Sequence, residues 1–392
     1  MSTVRQPERH AHVSSASGVG SSASRDDRCG TNTFNLDASR MLPAWFEAEG
    51  LSLAFTTYQV GKLFLVGLGE DDRLSFTERT FPRVMGLGAH DNGFWLGSLF
   101  QIWRFDNYLE PGAFYKRHDA LYVPSVGYTT GDVDVHDIHT REDLPVFVAT
   151  RFNCLAEPVP GKSFRAVWRP SFIDRIAAED RCHLNGLVME NGVPRYVTCV
   201  SRSNIAEGWR EHRRDGGVVI DVPSNEVVAS GLSMPHSPRL QGDRLWLIQS
   251  GTGELGYIDP NTSTFEPVCF LPGFARGLAI HGDWAIVGVS QPRGKDKTFE
   301  GLELQDRLQK ENVSARCMIA FVNLKTGDIE NWITVGDPIS EIYDVVLLPG
   351  VRSPHLLGFQ KEDIRFVINP EDGCARMSDH LYGSATQQIG AH

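Results

Sequence analysis

Gly277-Leu-Ala-Ile-His-Gly-Asp-Trp-Ala-Ile-Val-Gly288 reads as an apolar run, a tight polar turn and a second apolar run, which is the pattern of a β-hairpin. The same text recurs as Met85-Gly-Leu-Gly-Ala-His-Asp-Asn-Gly-Phe-Trp-Leu-Gly97 and as Pro238-Arg-Leu-Gln-Gly-Asp-Arg-Leu-Trp-Leu247. Looser copies begin near Ala54 (through Lys62-Leu-Phe-Leu-Val-Gly67), Val135 (through Val146-Phe-Val-Ala-Thr150), Leu184 (through Arg195-Tyr-Val-Thr-Cys199) and Ile342 (through His355-Leu-Leu-Gly-Phe359). Copies thus start near 55, 85, 136, 185, 236, 276 and 343, mostly 40 to 51 residues apart, with one step of 30 and one of 67.

A period of about 40–50 residues built of short strands is what a four-stranded propeller blade needs. An all-β propeller of seven blades is expected, or of six if the short first unit belongs to a shared blade. The unit from His236 is the clearest, with strands expected at 237–241, 244–249, 254–258 and 264–270 and a turn at Asp259-Pro-Asn-Thr262. Gly294 to Asn312 is polar with three spaced leucines and reads as an inserted loop with a short helix. The last copy has room for three strands, near 341–348, 354–359 and 362–368. An N-terminal strand from Thr33-Phe-Asn-Leu-Asp37 is expected to complete it, leaving no open edge. The competing architecture is a pair of stacked β-sandwiches, which a regular period along the chain disfavours.

Thirty-eight glycines and 21 prolines spread along 392 residues suit many tight turns. A formal charge of −11 without a long Lys/Arg run argues against a nucleic-acid partner, although Arg210 to Arg214 forms a local basic patch. Seven cysteines without a C-x-x-C pair fit neither a disulfide framework nor a structural zinc site, and point to a reducing, cytoplasmic setting. No stretch approaches the roughly 18 apolar residues of a membrane span. The domain expectation is a disordered leader over 1–33, too polar to bury a core, one propeller over 34–375 and a flexible tail over 376–392.

The first strand of a blade lines the channel, and alternate side chains on it point inward. Aligning the hairpins places Met85, His136, Asn185, His236, Arg276 and Tyr343 on one ring, with Phe55 from the first unit. Two residues earlier lie Arg83, Asp134, His183, Met234, Phe274 and Glu341, with Leu53. A half-buried sheet face is ordinarily apolar, yet these rings carry three histidines, two arginines, an Asp, a Glu, an Asn and a Tyr. Converging imidazoles suit a divalent metal, so His136, His183 and His236 are the candidate metal ligands. Neutral imidazole also serves as a general base near pH 7, with Asp134 or Asp137 to orient it. Asp134, Glu341 and Tyr343 are the candidate acid–base groups, and Arg83, Asn185 and Arg276 the candidate substrate-binding groups, Arg276 suiting a carboxylate or phosphate.

Plainer roles stand beside these. A polar knot around His136 can be a fold-closing hydrogen-bond network, and Arg239 is more often a strand-edge ion pair. His90, His118, His212 and His281 fall in turns and read as surface residues. Cys182 points away from the channel by alternation, which disfavours a thiolate nucleophile. Gly251-Thr-Gly-Glu-Leu-Gly256 lacks the helix a dinucleotide site requires. No G-x-S-x-G elbow or H-E-x-x-H helix is present.

The segments Phe81-Pro-Arg-Val-Met-Gly-Leu87, His183-Leu-Asn-Gly-Leu187, Met234-Pro-His-Ser-Pro-Arg239 and Pro272-Gly-Phe-Ala-Arg-Gly-Leu278 resemble a bacterial family of conserved hypothetical proteins with a domain of unknown function. The resemblance runs from about Phe34 to the end and implies a propeller-like protein without an activity to carry over. At a coarser level the layout is similar to gluconolactonase-like hydrolases and carotenoid-cleaving oxygenases, but neither ligand set transfers residue by residue. Two functions follow. The first is an enzyme acting in the channel on a small polar or anionic molecule, or a peptide, by hydrolysis, elimination or isomerisation. The second is a non-catalytic propeller whose loop faces, Arg202 to Arg214 and Gly294 to Asn312, hold a protein partner. No membrane partner is expected.

Overall fold

The computed structural model describes residues 35–291, 299–360, 362–370 and 376–377. Among these, six antiparallel blades surround one axis. Blade 1 runs, from the axis outward, Val345–Pro349, Leu51–Thr57, Lys62–Leu68 and Leu74–Thr80. Blade 2 is Leu87–His90, Gly93–Gly97, Gln101–Asn107 and Ala120–Thr129, and blade 3 is Val135–Arg141, Leu144–Ala149, Cys154–Val159 and Lys162–Trp168. Blade 4 is Leu184–Glu190, Val193–Cys199, Gly217–Asp221 and Glu226–Leu232. Blade 5 is Pro235–Gln241, Arg244–Gln249, Glu254–Ile258 and Phe265–Phe270, within two residues of the expected strands. Blade 6 is Phe274–His281, Trp284–Ser290, Met318–Asn323 and Ile329–Val335.

Six blades replace the favoured seven because the copies near Ala54 and Ile342 are one blade. The late copy supplies its inner strand, Val345–Pro349, which pairs antiparallel with Leu51–Phe55. Leu53 and Phe55 therefore sit on a second strand rather than on the channel, and Phe55 stacks on Phe64 with ring centres 4.8 Å apart inside the core. The closing strand also differs from expectation. Leu36–Ala38 adds outside blade 6 against Ile333–Val335, while the C-terminal strand closes blade 1. Thr33 and Phe34 lie outside the described residues, as do the expected leader, most of the tail and Gly294 to Thr298 of the insertion. The other expected late strands are Pro354–Leu356, which pairs in parallel beside blade 2, and Val367–Ile368 behind a 3-10 turn.

Apolar clusters fill the gaps between successive blades, which explains the unbroken apolar text of the second strands, buried on both faces. Val146, Val148 and Leu155 of blade 3 meet Leu184, Leu187 and Val197 of blade 4, and similar sets fill the other gaps. Each such side chain contributes roughly 1.5–3 kcal/mol by leaving water. A helix at Leu42–Glu49, with Pro43 in its first turn and Gly50 as left-handed cap, lays Leu42, Trp45 and Phe46 over the seam between blades 6 and 1.

Around the axis the inner strands alternate between stapling residues and glycines. Asp344 accepts the N–H of Leu87 (2.7 Å), Asp137 that of Leu187 (3.1 Å) and Ser237 that of Gly277 (2.9 Å). The equivalent positions of blades 2, 4 and 6 are Gly86, Gly186 and Gly277. A Cβ at Gly86 would stand 2.8 Å from the carbonyl oxygen of His136, so these strands approach too closely for a side chain.

Candidate functional site

The inner strands start together at one mouth of the channel, where the residue entering the strand is left-handed in four successive blades. Arg83, Asp134, His183 and Met234 have φ of 42, 59, 50 and 48°, none of them glycine. Each such residue costs about 1–2 kcal/mol, a strain that the surrounding blades sustain and that re-aims these side chains around the mouth.

Three imidazoles are fixed there in the same way. His183 Nδ1 meets the Asp180 carboxylate at 2.9 Å, His136 Nδ1 the Asp134 carbonyl at 3.2 Å, and His236 Nδ1 the Met234 carbonyl at 2.9 Å. Each of these oxygens can only accept, so Nδ1 carries the proton and Nε2 keeps its lone pair. Among the described residues Nε2 of each ring has no hydrogen bond. Thr150 and Ser250 repeat one further contact, each 2.8 Å from Nδ1 of His136 and His236 respectively, while giving their own hydrogens to the carbonyls of Leu184 and Ala275. The Ser250–His236 pair is therefore no nucleophilic dyad. Its hydroxyl is buried and already committed, and the imidazole nitrogen facing it is a donor.

Burial keeps the His136 and His236 rings neutral. His136 is pushed down to about 4, against the opposing pull of Asp134. His236 is pressed well below the ordinary imidazole value, first by burial and then by its cationic or protonatable neighbours His136, His183 and Arg276, against the pull of the Met234 carbonyl. Burial would push the Asp180 carboxyl up, but His183, His136 and the Trp209 indole N–H (2.9 Å) together bring it below the usual carboxylate value.

Tyr343 completes the group. Its ring lies edge-on to His136, centres 5.5 Å apart, and His136 is likewise edge-on to His183 at 4.8 Å. The Tyr343 side chain is buried and its Oη has no hydrogen-bond partner among the described residues, a costly state for a hydroxyl unless a ligand meets it. Burial raises its pKa well above that of a free phenol, so it is a neutral donor. Arg276 stacks 4.3 Å above the same ring, held by Glu341 at 2.9 Å, which gives buried Glu341 the task of fixing the guanidinium. Asp134 lies 3.6 Å from Arg83, and Arg83 also pairs with Asp132. Asn185 accepts from Thr198 at 2.7 Å and leaves its amide nitrogen unpartnered among the described residues.

The expected residues thus gather at one mouth, but Asp137 does not orient His136. It faces Arg239 at 3.1 Å deeper in the channel, and Arg239 is the structural ion pair that its strand position suggested. Asp344 lies within the field of that guanidinium, and burial followed by the charge of Asp137 lifts its carboxyl to about 7. His118 is not a surface residue, since it is buried and stacked on His355 at 4.5 Å. Cys182 is buried and turned to Asn153, its thiol pushed up by burial. Five described cysteines, at 154, 182, 199, 269 and 317, are unbridged.

Sequence reasoning missed Tyr58, Asp180, Trp209 and Phe299. Trp209 stacks on His183 at 4.2 Å, and Phe299 lies against Phe274 at 4.7 Å, which in turn meets His236. Trp209 and Phe299 thus bring the described part of each loop expected to hold a protein partner to the channel mouth. Thr150 and Ser250 carried a legible signal, each 14 residues after its histidine. A cavity of about 1120 Å³ opens at the opposite mouth, but its walls, Leu87, Ile138, Leu278 and Val345 among them, are mainly apolar. Its one deep cation, Arg239, is saturated by Asp137 and three carbonyls. Of the buried polar groups without a partner among the described residues, Arg83 Nε, Asn185 Nδ2 and Tyr343 Oη lie at the histidine mouth, and His139 Nε2 lines the apolar cavity.

Among the described residues no three His, Cys, Asp or Glu groups stand in an arrangement that could hold a metal ion, and no helix is long and apolar enough to cross a membrane. The family model for a domain of unknown function, DUF4915, matches residues 40–357. No curated protein matches the chain by sequence. Among solved structures it is similar to a chain of the nidogen–laminin complex, at 10% identity over 77% of this chain and 99% of that one, TM-score 0.47. A protein of unknown function from Bacteroides caccae is 9% identical over 76% and 99%, TM-score 0.43. Virginiamycin B lyase from Staphylococcus aureus is 13% identical over 66% and 96%, TM-score 0.36, and at these values none of the three informs the chemistry.

Proposed function

Since the chain belongs to the family of the domain of unknown function DUF4915, whose description assigns no chemistry, we propose an activity from the channel mouth: an enzyme that moves protons on a small polar, anionic molecule. Elimination and isomerisation fit best, with hydrolysis by an activated water as the third member of the class. The observation that carries this reading is the set of three imidazoles whose Nδ1–H groups are anchored on accepting oxygens, leaving their Nε2 lone pairs uncommitted, with the unpartnered Tyr343 hydroxyl on a ring edge-on to His136.

In this reading His183 is the base, since Asp180 stabilises the imidazolium it becomes, as a carboxylate does for any proton-accepting histidine. Tyr343 is the donor, a neutral phenol at the required place. Arg276 holds a substrate carboxylate over the Tyr343 ring, and Trp209 keeps the His183 ring from turning. His136 and His236 stay neutral near pH 7 and complete a dry, polarisable wall. A ligating histidine ordinarily donates its other N–H to an oxygen, as these do, but among the described residues His136, His183 and His236 do not stand in an arrangement that could hold a metal ion.

The test is exchange with solvent deuterium. A panel of small hydroxy, keto and unsaturated acids and lactones is incubated in D2O with the parent protein and followed by NMR. At least one acid is expected to take up deuterium or convert, and His183→Ala and Tyr343→Phe are expected to slow it by about 10²–10⁴. A parent inert toward the panel, or variants equal to the parent, would contradict the reading. Adding Zn, Mn or Fe to the same reactions is expected to leave the rates unchanged.

A further inference from the structure

Beside the channel mouth, between the outer turns of blades 1 and 2, lies a cavity of about 620 Å³ lined by Tyr58, Thr80, Phe81, Pro82, Arg83 and Gln360, together with neighbouring residues. It shares Tyr58 and Arg83 with the site already described. Tyr58 stacks on Tyr343, ring centres 5.8 Å apart, and Arg276 stands 5.9 Å from the Tyr58 ring centre. Arg83 lines the same cavity as Tyr58, and the charges of Asp134, Arg83, Arg276 and Glu341 all reach the Tyr58 phenol. Arg83 is held in a left-handed backbone conformation, φ 42°, that fixes where its side chain departs.

The guanidinium of Arg83 is only partly used. Nη2 pairs with Asp132, which Arg151 also claims at 2.9 Å, and approaches Asp134 at 3.6 Å. Its Nε is buried and has no hydrogen-bond partner among the described residues. A buried N–H of a charged group is costly when unmet, and the free edge of a guanidinium is shaped for two oxygens of a carboxylate or phosphate. Thr80 and Gln360 add neutral hydrogen-bonding groups to the same walls.

We propose that this side cavity holds an oxyanionic arm of the substrate, bound by Arg83, while the reacting end lies at Tyr343 and His183. The substrate class is then a compound with two separated acidic groups, one for Arg276 and one for Arg83, with Tyr58 between them. The inference rests on the acid–base reading of the mouth for its reacting end, but its arm is tested by binding alone.

Isothermal titration of the full chain with inorganic phosphate and, separately, with succinate measures the arm. The parent is expected to bind at least one probe at millimolar concentration; preference for phosphate identifies a phosphorylated arm, and preference for succinate a carboxylate arm. Arg83→Gln is expected to weaken that probe by about tenfold or more. Thr80→Trp, an exposed position that fills the cavity without touching the guanidinium, is expected to do the same. The inference is overturned if neither probe binds the parent, or if Arg83→Gln and Thr80→Trp both bind it unchanged. Failure of deuterium exchange with phosphate or succinate binding intact would overturn the proton chemistry and leave the arm standing.

Discussion

Asp137→Ala is expected to lower the stability of the chain by about 3–5 kcal/mol, the loss that follows when one member of a buried ion pair is removed. Asp137 accepts from Leu187 N–H and Ile138 N–H and meets Arg239 at 3.1 Å, so one truncation leaves two backbone donors and a guanidinium without their partner. It also cuts the staple between blades 3 and 4. Asp344 lies within reach of the same guanidinium and takes up part of the charge once Asp137 is gone, because its raised pKa depends in part on that neighbour. The double replacement Asp137→Ala/Asp344→Ala should therefore cost more than the sum of the singles. Urea titration monitored by tryptophan fluorescence measures both, and an Asp137→Ala midpoint close to that of the parent at unchanged slope would show that the staples do not hold the ring.

Gly277→Ala is expected to be nearly as damaging for a different reason. Gly277 has φ 77°, and a Cβ there would stand 2.6 Å from Cα of Asp344 and 3.0 Å from its carbonyl carbon. That backbone cannot retreat easily, since Asp344 is clasped to the N–H groups of Leu87 and Val345. Gly242, at φ 60° with nothing within 4 Å of the added carbon, isolates the conformational part of the cost, about 1 kcal/mol. Gly277→Ala should exceed Gly242→Ala by roughly 2 kcal/mol, the usual cost of overpacking. It should also disturb Tyr343, whose carbonyl oxygen is the next contact at 3.1 Å. Equal losses at the two glycines would mean that the inner strands are less tightly apposed than their contacts indicate.

The channel residues were legible because period-two alternation holds wherever a strand is regular. His136, Asn185, His236 and Arg276 lie on inner strands, Tyr343 just precedes one, and the count from the shared hairpin placed them together. The blade number was harder to read, because the Ala54 and Ile342 copies each look like a complete hairpin start, and only the pairing of Leu51–Phe55 with Val345–Pro349 makes them one blade. Asp180, Trp209 and Tyr58 lie in connections, where no periodicity constrains the side chain. Their roles come from long-range packing, such as the stacking of Trp209 on His183. Asp137 misled for a related reason: it neighbours His136 in the chain, but as the next residue on the strand it faces away from that ring toward Arg239 and the next blade.

The most direct measurement is nitrogen-15 NMR of the histidine side chains across pH, using long-range proton–nitrogen couplings to assign each tautomer. The expected result is that the neutral form of each of His136, His183 and His236 is the Nδ1–H tautomer, with His136 protonating only toward about 4 and His236 well below the ordinary imidazole value. Rings found as Nε2–H tautomers, or His136 and His236 titrating near 6.5 like free imidazole, would mean that the channel mouth lacks the prepared proton acceptors on which the proposed chemistry depends.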